Sequence, residues 1–482
     1  MFPSNSFRQR LGAAFCVLLL PNAASAELEE IIVTADFREQ ALAELPMAAT
    51  VIDEETIELA AVQHFEELIG QVPNMNWSGD GNRARYFQIR GVGELEQYQG
   101  APNPSIGFLI DDIDFSGIGT IATLFDVQQI DVLRGPQGSR YGANALGGLV
   151  YVQSTEPTEA FSSNVRLTVG DDDARAGGVA FGGPMNDSGS LRYRLSAHLH
   201  ESNGFRDNTY LDREDTNGRE EATTRARLVW DASDSWTVKL SAMWSDIDDG
   251  YDAFAIDNSL TVLSNRPGKD AQESFGTSVR ADWFGNGKFE FTSITSFANS
   301  DVDFSFDADW GNDDAWAPVL YDYISENDRK RRTLGQEFRL SSGDEGRIFD
   351  DSADWLLGLY LLRLDDELQT NNQGEYFDPG FDFADALDSQ FASDFEALSV
   401  ALFGQLAFDV SDAGTLTVGL RVERRNTDYS DSADLELDPG ESMLGGDIRY
   451  AHALSDSMTA WAGIARGYKA GGFNLDACLL YT

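Results

Sequence analysis

Leu191, Tyr193, Leu195, Ala197 and Leu199 alternate one for one with Arg192, Arg194, Ser196, His198 and His200. The same two-residue period returns where Trp236, Val238, Leu240, Ala242 and Trp244 oppose Thr237, Lys239 and Ser241. It returns again where Leu416, Val418, Leu420 and Val422 oppose Thr417, Gly419, Arg421 and Glu423. Successive side chains of a strand point to opposite faces, so each stretch reads as a strand with one apolar and one polar side. A water-soluble sandwich alternates too, but its strands run to about 5 or 6 residues. These run to about 10, with aromatics at their ends, as strands of a membrane barrel do. After the N-terminal leader no apolar run reaches about 18 residues, so a spanning helix is not expected. Only a closed barrel would then satisfy every backbone polar group in lipid.

The connections fit a barrel as well. DASDS at 231–235 and DVSDAG at 409–414 are short, whereas 246–274 and 365–393 are long, acidic and poor in apolar periodicity. Short turns on one side and long loops on the other are the pattern of an outer-membrane barrel. Residues 158–482 are therefore assigned to a barrel wall of roughly a dozen strands of about 10 residues.

Ahead of the wall lies a different kind of sequence. Arg8 and Arg10, the apolar run 11–20 and the small-x-small site Ala24-Ser25-Ala26 make residues 1–26 a secretory signal peptide. Residues 27–41 carry EEIIVTADFREQ (29–40), in which Ile31, Ile32, Val33 and Thr34 favour an extended strand. No turn residues follow to fold that strand back, so it is expected to lack a local partner. Residues 42–157 read as a small α+β unit. Thr50-Val51-Ile52 is extended, and Asp53 caps a helix that continues through Ile57, Leu59, Val62, Phe65, Leu68 and Ile69 to a stop at Pro73-Asn74. Two strands around Ile130-Val132 and Leu149-Val152 flank Gly135, Gly138, Gly142, Gly147 and Gly148, a density that supplies tight turns. No Lys-Ser/Thr follows these glycines, which excludes a Walker phosphate loop. Arg90 and Arg134 each follow an apolar strand and precede a glycine, Gly91 and Gly135. Buried arginines need acidic partners, and inward-facing wall acids, Glu337 among them, are expected to supply them.

EEIIVTADFREQ, VPNMN, FQIRGVG and IDVLRGPQGSRYGANALGGLVYVQSTEPT together resemble the TonB box and plug domain of TonB-dependent outer-membrane receptors, siderophore receptors in particular. The resemblance implies a barrel of about 22 strands with the N-terminal plug inside it. It also implies an extended box, Glu30, Ile31, Ile32, Val33, Thr34 and Ala35, that adds as a strand to TonB, the periplasmic arm of an inner-membrane energising complex. Three positions depart from the family pattern. Asp112 stands where a glycine is usual in FLIDDIDF, which puts that tight turn in question, and Arg140 and Ala143 replace an apolar and a basic type. The chain also ends in DACLLYT, without alternation or a terminal aromatic strand, so a truncated reading frame is expected.

Charge and composition narrow the function classes. With 81 acidic against 35 basic residues the net charge is −46, which argues against nucleic acid as a partner. The acid clusters at Asp171-Asp172-Asp173 and Asp248-Asp249 lack calcium-loop spacing and read as solubilising loops. Four histidines show no metal-ligand spacing, and of two cysteines Cys16 leaves with the leader while Cys478 lies near the end, so no metal site and no disulfide framework is expected. No Ser/His/Asp constellation stands out, so the chain is not read as an enzyme. His198 and His200 share an inward face without a nucleophile beside them. The resemblance implies a monomer in the outer-membrane lipid of a Gram-negative bacterium with no covalently bound cofactor. The cargo it implies is a ferric siderophore, with carbohydrate or cobalamin as alternatives. A passive porin would carry neither plug nor box.

Overall fold

The computed structural model describes residues 32–33, 40–42, 45–79, 81–95, 103–119, 123–139, 141–285, 287–455 and 458–472. The signal-peptide assignment, the box residues Glu30, Ile31, Thr34 and Ala35, and Arg140 lie outside them. The expectation of an unpartnered N-terminal strand is corrected: β1 (Ile32–Val33) pairs antiparallel with β2 (Gln40–Ala41), Ile32 opposite Ala41 and Val33 opposite Gln40.

The small unit follows its sequence signals with one break. After β3 (Ala49–Asp53), Asp53 caps α1 (Glu54–Ala60) by accepting the Thr56 amide at 2.8 Å. The helix does not continue to Ile69 as expected. Ala61 turns left-handed at φ 53°, and Phe65–Gln71 forms a separate 3-10 helix. The break lets Ile57, Phe65 and Leu68 all reach one core, while Leu59, on the expected apolar face, is exposed. Then come β4 (Met75–Ser78), β5 (Tyr86–Ile89), β6 (Ile106–Ile110), β7 (Ile113–Asp114), β8 (Val127–Arg134) and β9 (Gly148–Ser154). β4 and β5 pair with each other, and the remaining strands form a five-stranded sheet in the order β3-β8-β9-β6-β7, with β6 and β9 parallel. The turn put in question by Asp112 closes: Asp111 and Asp112 both take positive φ, 48° and 68°, between the β6 and β7 partners Ile110 and Ile113. Both central residues of such a two-residue turn must be left-handed, and aspartate tolerates this better than most residues.

The alternating sequence forms the wall. Its strands are β10 (Ser162–Val169), β11 (Arg175–Pro184), β12 (Leu191–Ser202), β13 (Asp207–Asn208), β14 (Arg219–Ser233), β15 (Trp236–Tyr251), β16 (Thr261–Val262), β17 (Gly268–Trp283) and β18 (Phe289–Asp307). After the short α2 (Asp313–Trp316) follow β19 (Leu320–Ser342), β20 (Ala353–Asp378), β21 (Phe383–Ala386), β22 (Ser389–Ser411), β23 (Gly414–Asp431), β24 (Glu436–Leu437), β25 (Gly440–Ser455) and β26 (Met458–Arg466). All but β13 and β16 belong to one 15-stranded antiparallel sheet whose order ends at β10 and β26, so the wall is an unclosed barrel. Several strands far exceed the expected 10 residues: β20 has 26, and β19 and β22 have 23 each. The long acidic loops are corrected accordingly. Asp246–Tyr251 and 268–274 lie in β15 and β17, and 365–378 and 389–393 lie in β20 and β22. A membrane strand needs only about 9 to 11 residues, so the remainder stands above the lipid as paired ribbon.

The wall is inside-out. On β12, Arg194, Ser196 and His198 are buried while Leu195 and Leu199 are exposed. Apolar outward and polar inward is the inverse of a soluble domain and matches a lipid-facing belt. Aromatic pairs ring the short-turn end, among them Trp236–Trp283 and Phe349–Phe408, as girdles do at a membrane interface. The inward face holds the small unit, whose core extends to Met243, Ala298 and Val302 of the wall.

Candidate functional site

The interface between the small unit and the wall is where charge is buried. Arg83 and Arg85 project from the loop between β4 and β5, and both are buried. Arg83 Nε donates to Asp249 Oδ2 at 2.7 Å, its Nη2 to Asp249 Oδ1 at 3.2 Å, and its Nη1 to Glu221 Oε2 at 3.1 Å. Arg85 donates to Asp270 and to the Gln272 side chain. Glu221 also receives the Thr123 amide at 3.0 Å and lies 2.8 Å from His64 Nε2. Arg83 Nη1 approaches both ring nitrogens of His64, 2.5 Å from Nε2 and 3.1 Å from Nδ1. One wall carboxylate thus ties three separate segments of the small unit.

Why these acids meet those arginines follows from strand parity. Asp249 continues the inward register of Ser241, Ser245 and Ile247 on β15, and Asp270 that of Gln272, Ser274 and Ser278 on β17. The wall reciprocates elsewhere. Arg194 clasps Asp126, with Nε at 2.9 Å from Oδ2, and Arg225 donates to the carbonyls of Phe125 and Thr123 at 2.6 and 2.5 Å. Ser278 Oγ donates to the Asp111 carbonyl at 2.7 Å, and Thr333 Oγ1 to that of Asp114 at 3.1 Å. Near the far edge, Ser139 donates to Asp447, and Tyr468 donates to Glu423 at 2.8 Å.

The arginines singled out by sequence sit elsewhere. Arg90 is exposed at φ 54° with its amide on the Asn74 carbonyl, and Arg134 donates to the Pro73 carbonyl at 3.5 Å. Neither meets a wall acid among the described residues, so that pairing is corrected. Glu337 does face inward, but it pairs with Arg339 two residues along its own strand. A cross-strand or along-strand partner reaches such an acid without any contribution from the small unit. Gly135 and Gly142 take φ 115° and 76°, conformations that favour glycine. Gly138 lies against Gly467, where a Cβ would come 3.1 Å from its Cα, and Gly147 and Gly148 admit the Ile106 and Ile89 side chains closely. Gly91, at φ 78°, has open space around it. Ala143 falls in the 3-10 turn Gly142–Ala145. His198 stacks on Phe125 at 5.4 Å between ring centres, an interface contact. Asp172 and Asp173 form the turn between β10 and β11, whereas Asp249, expected in a loop, is an interface residue.

Residues 41–149 match the family described as the TonB-dependent Receptor Plug Domain. Over 95% of its length the chain is 22% identical to the pesticin receptor of Yersinia pestis, covering 67% of that protein. It is 22% identical to the vitamin B12 transporter BtuB of Vibrio vulnificus over 63% of the chain and 51% of the relative. Among solved structures it is similar to the ferric yersiniabactin uptake receptor FyuA from Yersinia pestis, with TM-score 0.75 and 19% identity over 89% of the chain and 66% of that structure. The ferripyoverdine receptor of the outer membrane of Pseudomonas aeruginosa follows the same fold, with TM-score 0.68 and 14% identity over 90% and 58%. The chain therefore spans about two thirds or less of the length of these relatives. Residues 41–149 thus match the plug-domain family, and the chain as a whole shares the fold of these receptor structures.

Proposed function

We propose that the protein imports a scarce solute across the outer membrane of a Gram-negative bacterium by energy-coupled release of its plug, and that the solute is a ferric siderophore. The observation that carries this reading is the plug's seat on the inward wall, held by fully buried pairs such as Arg83 with Asp249 and Glu221. Breaking such a pair by removing one partner costs about 3–5 kcal/mol, so thermal motion alone rarely opens the path. Work has to be supplied, and the outer membrane has no nucleotide source of its own. The extended segment that includes Ile32 and Val33 precedes the plug and is the handle. It adds as a strand to the edge of TonB, each backbone hydrogen bond contributing about 1 kcal/mol net. Its present pairing with β2 spans two residue pairs, a hold weak enough to be exchanged for the partner.

The similarity to the pesticin, yersiniabactin and pyoverdine receptors favours iron-laden cargo, and the similarity to the B12 transporter keeps cobalamin as a second reading. Val33→Pro removes a ladder donor. In iron-starved cells expressing the gene, the variant is expected to bind a ⁵⁵Fe-labelled siderophore fraction as the parent does and to import none of it. Import at the parental rate, or parental import that survives a protonophore, refutes the reading. Cobalamin uptake with no ⁵⁵Fe uptake selects the second one.

A further inference from the structure

Three loops at the end of the wall opposite the short turns are tied together through buried carboxyls. They are 203–218 between β12 and β14, 252–267 between β15 and β17, and 308–319 between β18 and β19. The first two join where β13 pairs in parallel with β16, and the Thr209 amide donates to the Val262 carbonyl at 3.2 Å. The second and third join where the Asn265 amide donates to the Gly311 carbonyl at 3.0 Å and Asn312 Nδ2 to that of Leu263 at 2.7 Å. A run of side chains crosses all three. Asn208 Nδ2 donates to Asp252 Oδ2 at 2.8 Å and to the Ser264 carbonyl at 2.9 Å, and Ser264 Oγ donates to Asp307 Oδ2 at 2.5 Å. Asp307 Oδ1 in turn accepts the Asp309 amide at 3.3 Å. The unit rests on the plug, since Gly250, just before the second loop, accepts Asn82 Nδ2 at 2.6 Å.

These carboxyls are buried without countercharge. Asp307 and Asp309 are 5% and 2% exposed, Asp252 is buried as well, and among the described residues no Lys or Arg forms an ion pair with any of the three. Asp309 is furnished to stay ionised: its Oδ1 accepts the Gly311 amide at 2.9 Å and Trp316 Nε1 at 3.2 Å, and its Oδ2 the Tyr323 amide at 3.0 Å. Two neighbouring buried carboxyls resist ionising together, so the proton falls to Asp307, which accepts one N–H and one hydroxyl among the described residues. Burial pushes the Asp307 carboxyl up from 3.8 to about 7, with the Ser264 hydrogen bond opposing the rise and Asp309 adding to it. The groups facing it from other elements leave this unchanged. On β19, burial raises Tyr321 above an ordinary phenol, so it stays neutral, and Tyr323 is a phenol beside it. Arg266 of the second loop is engaged by Asp322. At the far end of the run, burial raises Asp252 against the Asn208 hydrogen bond and the more distant Arg206 and Arg213, which adds to the same trend.

We infer that Asp307 is a proton-dependent latch: protonated, it holds the second and third loops together above the plug, and ionised, it parts them. Once Asp307 loses its proton, two like charges face each other out of water, and the loops gain by separating and rehydrating them. The stability this proton gives the interlock is fully present below about pH 4, where an opened Asp307 is protonated too, and is lost as pH rises through about 7. A proton suits the site and a metal ion does not, since among the described residues no three acids or histidines converge to hold one. The latch belongs to the loops and stands whatever solute the protein carries.

Hydrogen exchange on the full chain in detergent micelles, from pH 5 to 8.5 and corrected for the intrinsic rate, tests the latch. The reporter is the Asn265 amide, which crosses from the second loop to the third. Its protection is expected to fall at least tenfold over that range, steeply up to about pH 7 and levelling above it. Amides of the β19–β20 ladder are expected to change less than threefold, and so is Asn265 in Asp307→Asn, which keeps the shape of the protonated carboxyl and cannot ionise. A change of less than threefold in the parent overturns the latch, and so does an equal fall in the variant or in the ladder. Should the variant not assemble, the parent's profile still decides, because a fall that continues to pH 8.5 without levelling is not the titration of this carboxyl. Protection at pH 8.5 that millimolar calcium chloride restores in the parent also overturns it, since the carboxyls then hold a cation.

Discussion

Arg83→Met tests how the plug is held. The side chain is 0% exposed and lies between two acids that are themselves 0% exposed, Asp249 and Glu221. Methionine preserves most of the bulk and removes the cation, so both carboxylates remain inside without it. Removing one partner of a buried pair costs about 3–5 kcal/mol, chiefly from the charge left behind. At 1.4 kcal/mol per tenfold, the equilibrium between seated and unseated plug shifts by roughly 10² to 4 × 10³. Hydrogen exchange reads this directly. The Thr123 amide of the plug donates to Glu221 of the wall, so it is protected only while this corner is seated. Its protection is expected to fall by that factor, while amides of the wall ladder, such as those between β19 and β20, stay unchanged. The triple variant Arg83→Met, Glu221→Gln, Asp249→Asn leaves no net charge and is expected to recover most of the loss, because a neutral replacement of a whole buried cluster is often close to neutral in stability. Protection that changes less than threefold in the single variant, or a triple variant no better than the single, refutes the claim that this cluster seats the plug.

Two further perturbations follow from the plug core. Burial lifts the Asp131 carboxyl from 3.8 to about 7, against the lowering pull of hydrogen bonds from Gln129 and Gln153. The folded plug therefore holds a proton between about pH 4 and 7 that the unfolded chain has released, and the stability fully present below pH 4 is lost as pH rises through 7. Asp131→Asn is expected to flatten that slope and to raise plug stability at pH 7 by at most about 4 kcal/mol, read by denaturant titration of plug fluorescence or exchange at several pH values; an unchanged slope refutes the assignment. Gly276→Ala places a methyl against Phe115 and Ile113, and overpacking of this kind costs about 1–3 kcal/mol. Amides of 113–115 are expected to lose protection while those around Arg83 keep it, and a uniform loss across the plug refutes a local effect at this contact.

How far the residues alone lead is clear from β15 and β12. Alternation from Trp236 to Trp244 is unambiguous because every even position is apolar, and a barrel strand follows. Beyond Trp244 the even positions become Asp246 and Asp248, and the apolar signal ends. The strand itself continues to Tyr251, since above the lipid both faces can be polar and pairing with β14 and β17 suffices. The long loops read from composition are strands for this reason. The same parity, carried past the lipid belt, would have placed Asp249 and Asp270 inward and so pointed to Arg83 and Arg85. Arg90 and Arg134 drew attention by their neighbouring glycines, yet a glycine marks a backbone bend and says nothing of where the adjacent guanidinium points. At Asp111-Asp112 the reverse holds: the missing glycine suggested a lost turn, and two aspartates in left-handed geometry make it.

The two parts of the molecule are held by different physics. Each wall strand is committed to its neighbours through continuous ladders, 22 residue pairs between β19 and β20 alone. Such a ladder yields only cooperatively, because every freed backbone group in lipid costs several kcal/mol. The plug meets the wall through an apolar patch at Met243, Ala298 and Val302 and through discrete polar contacts on separate strands: Arg83 on β14 and β15, Asp126 on β12, Asp111 on β17, Asp114 on β19. Each polar contact can break and be rehydrated on its own once water enters the lumen, and a carboxylate or guanidinium regains most of its solvation when it does. Under the import proposed above, a pull through residues 32–41 would meet these contacts in series and not all at once.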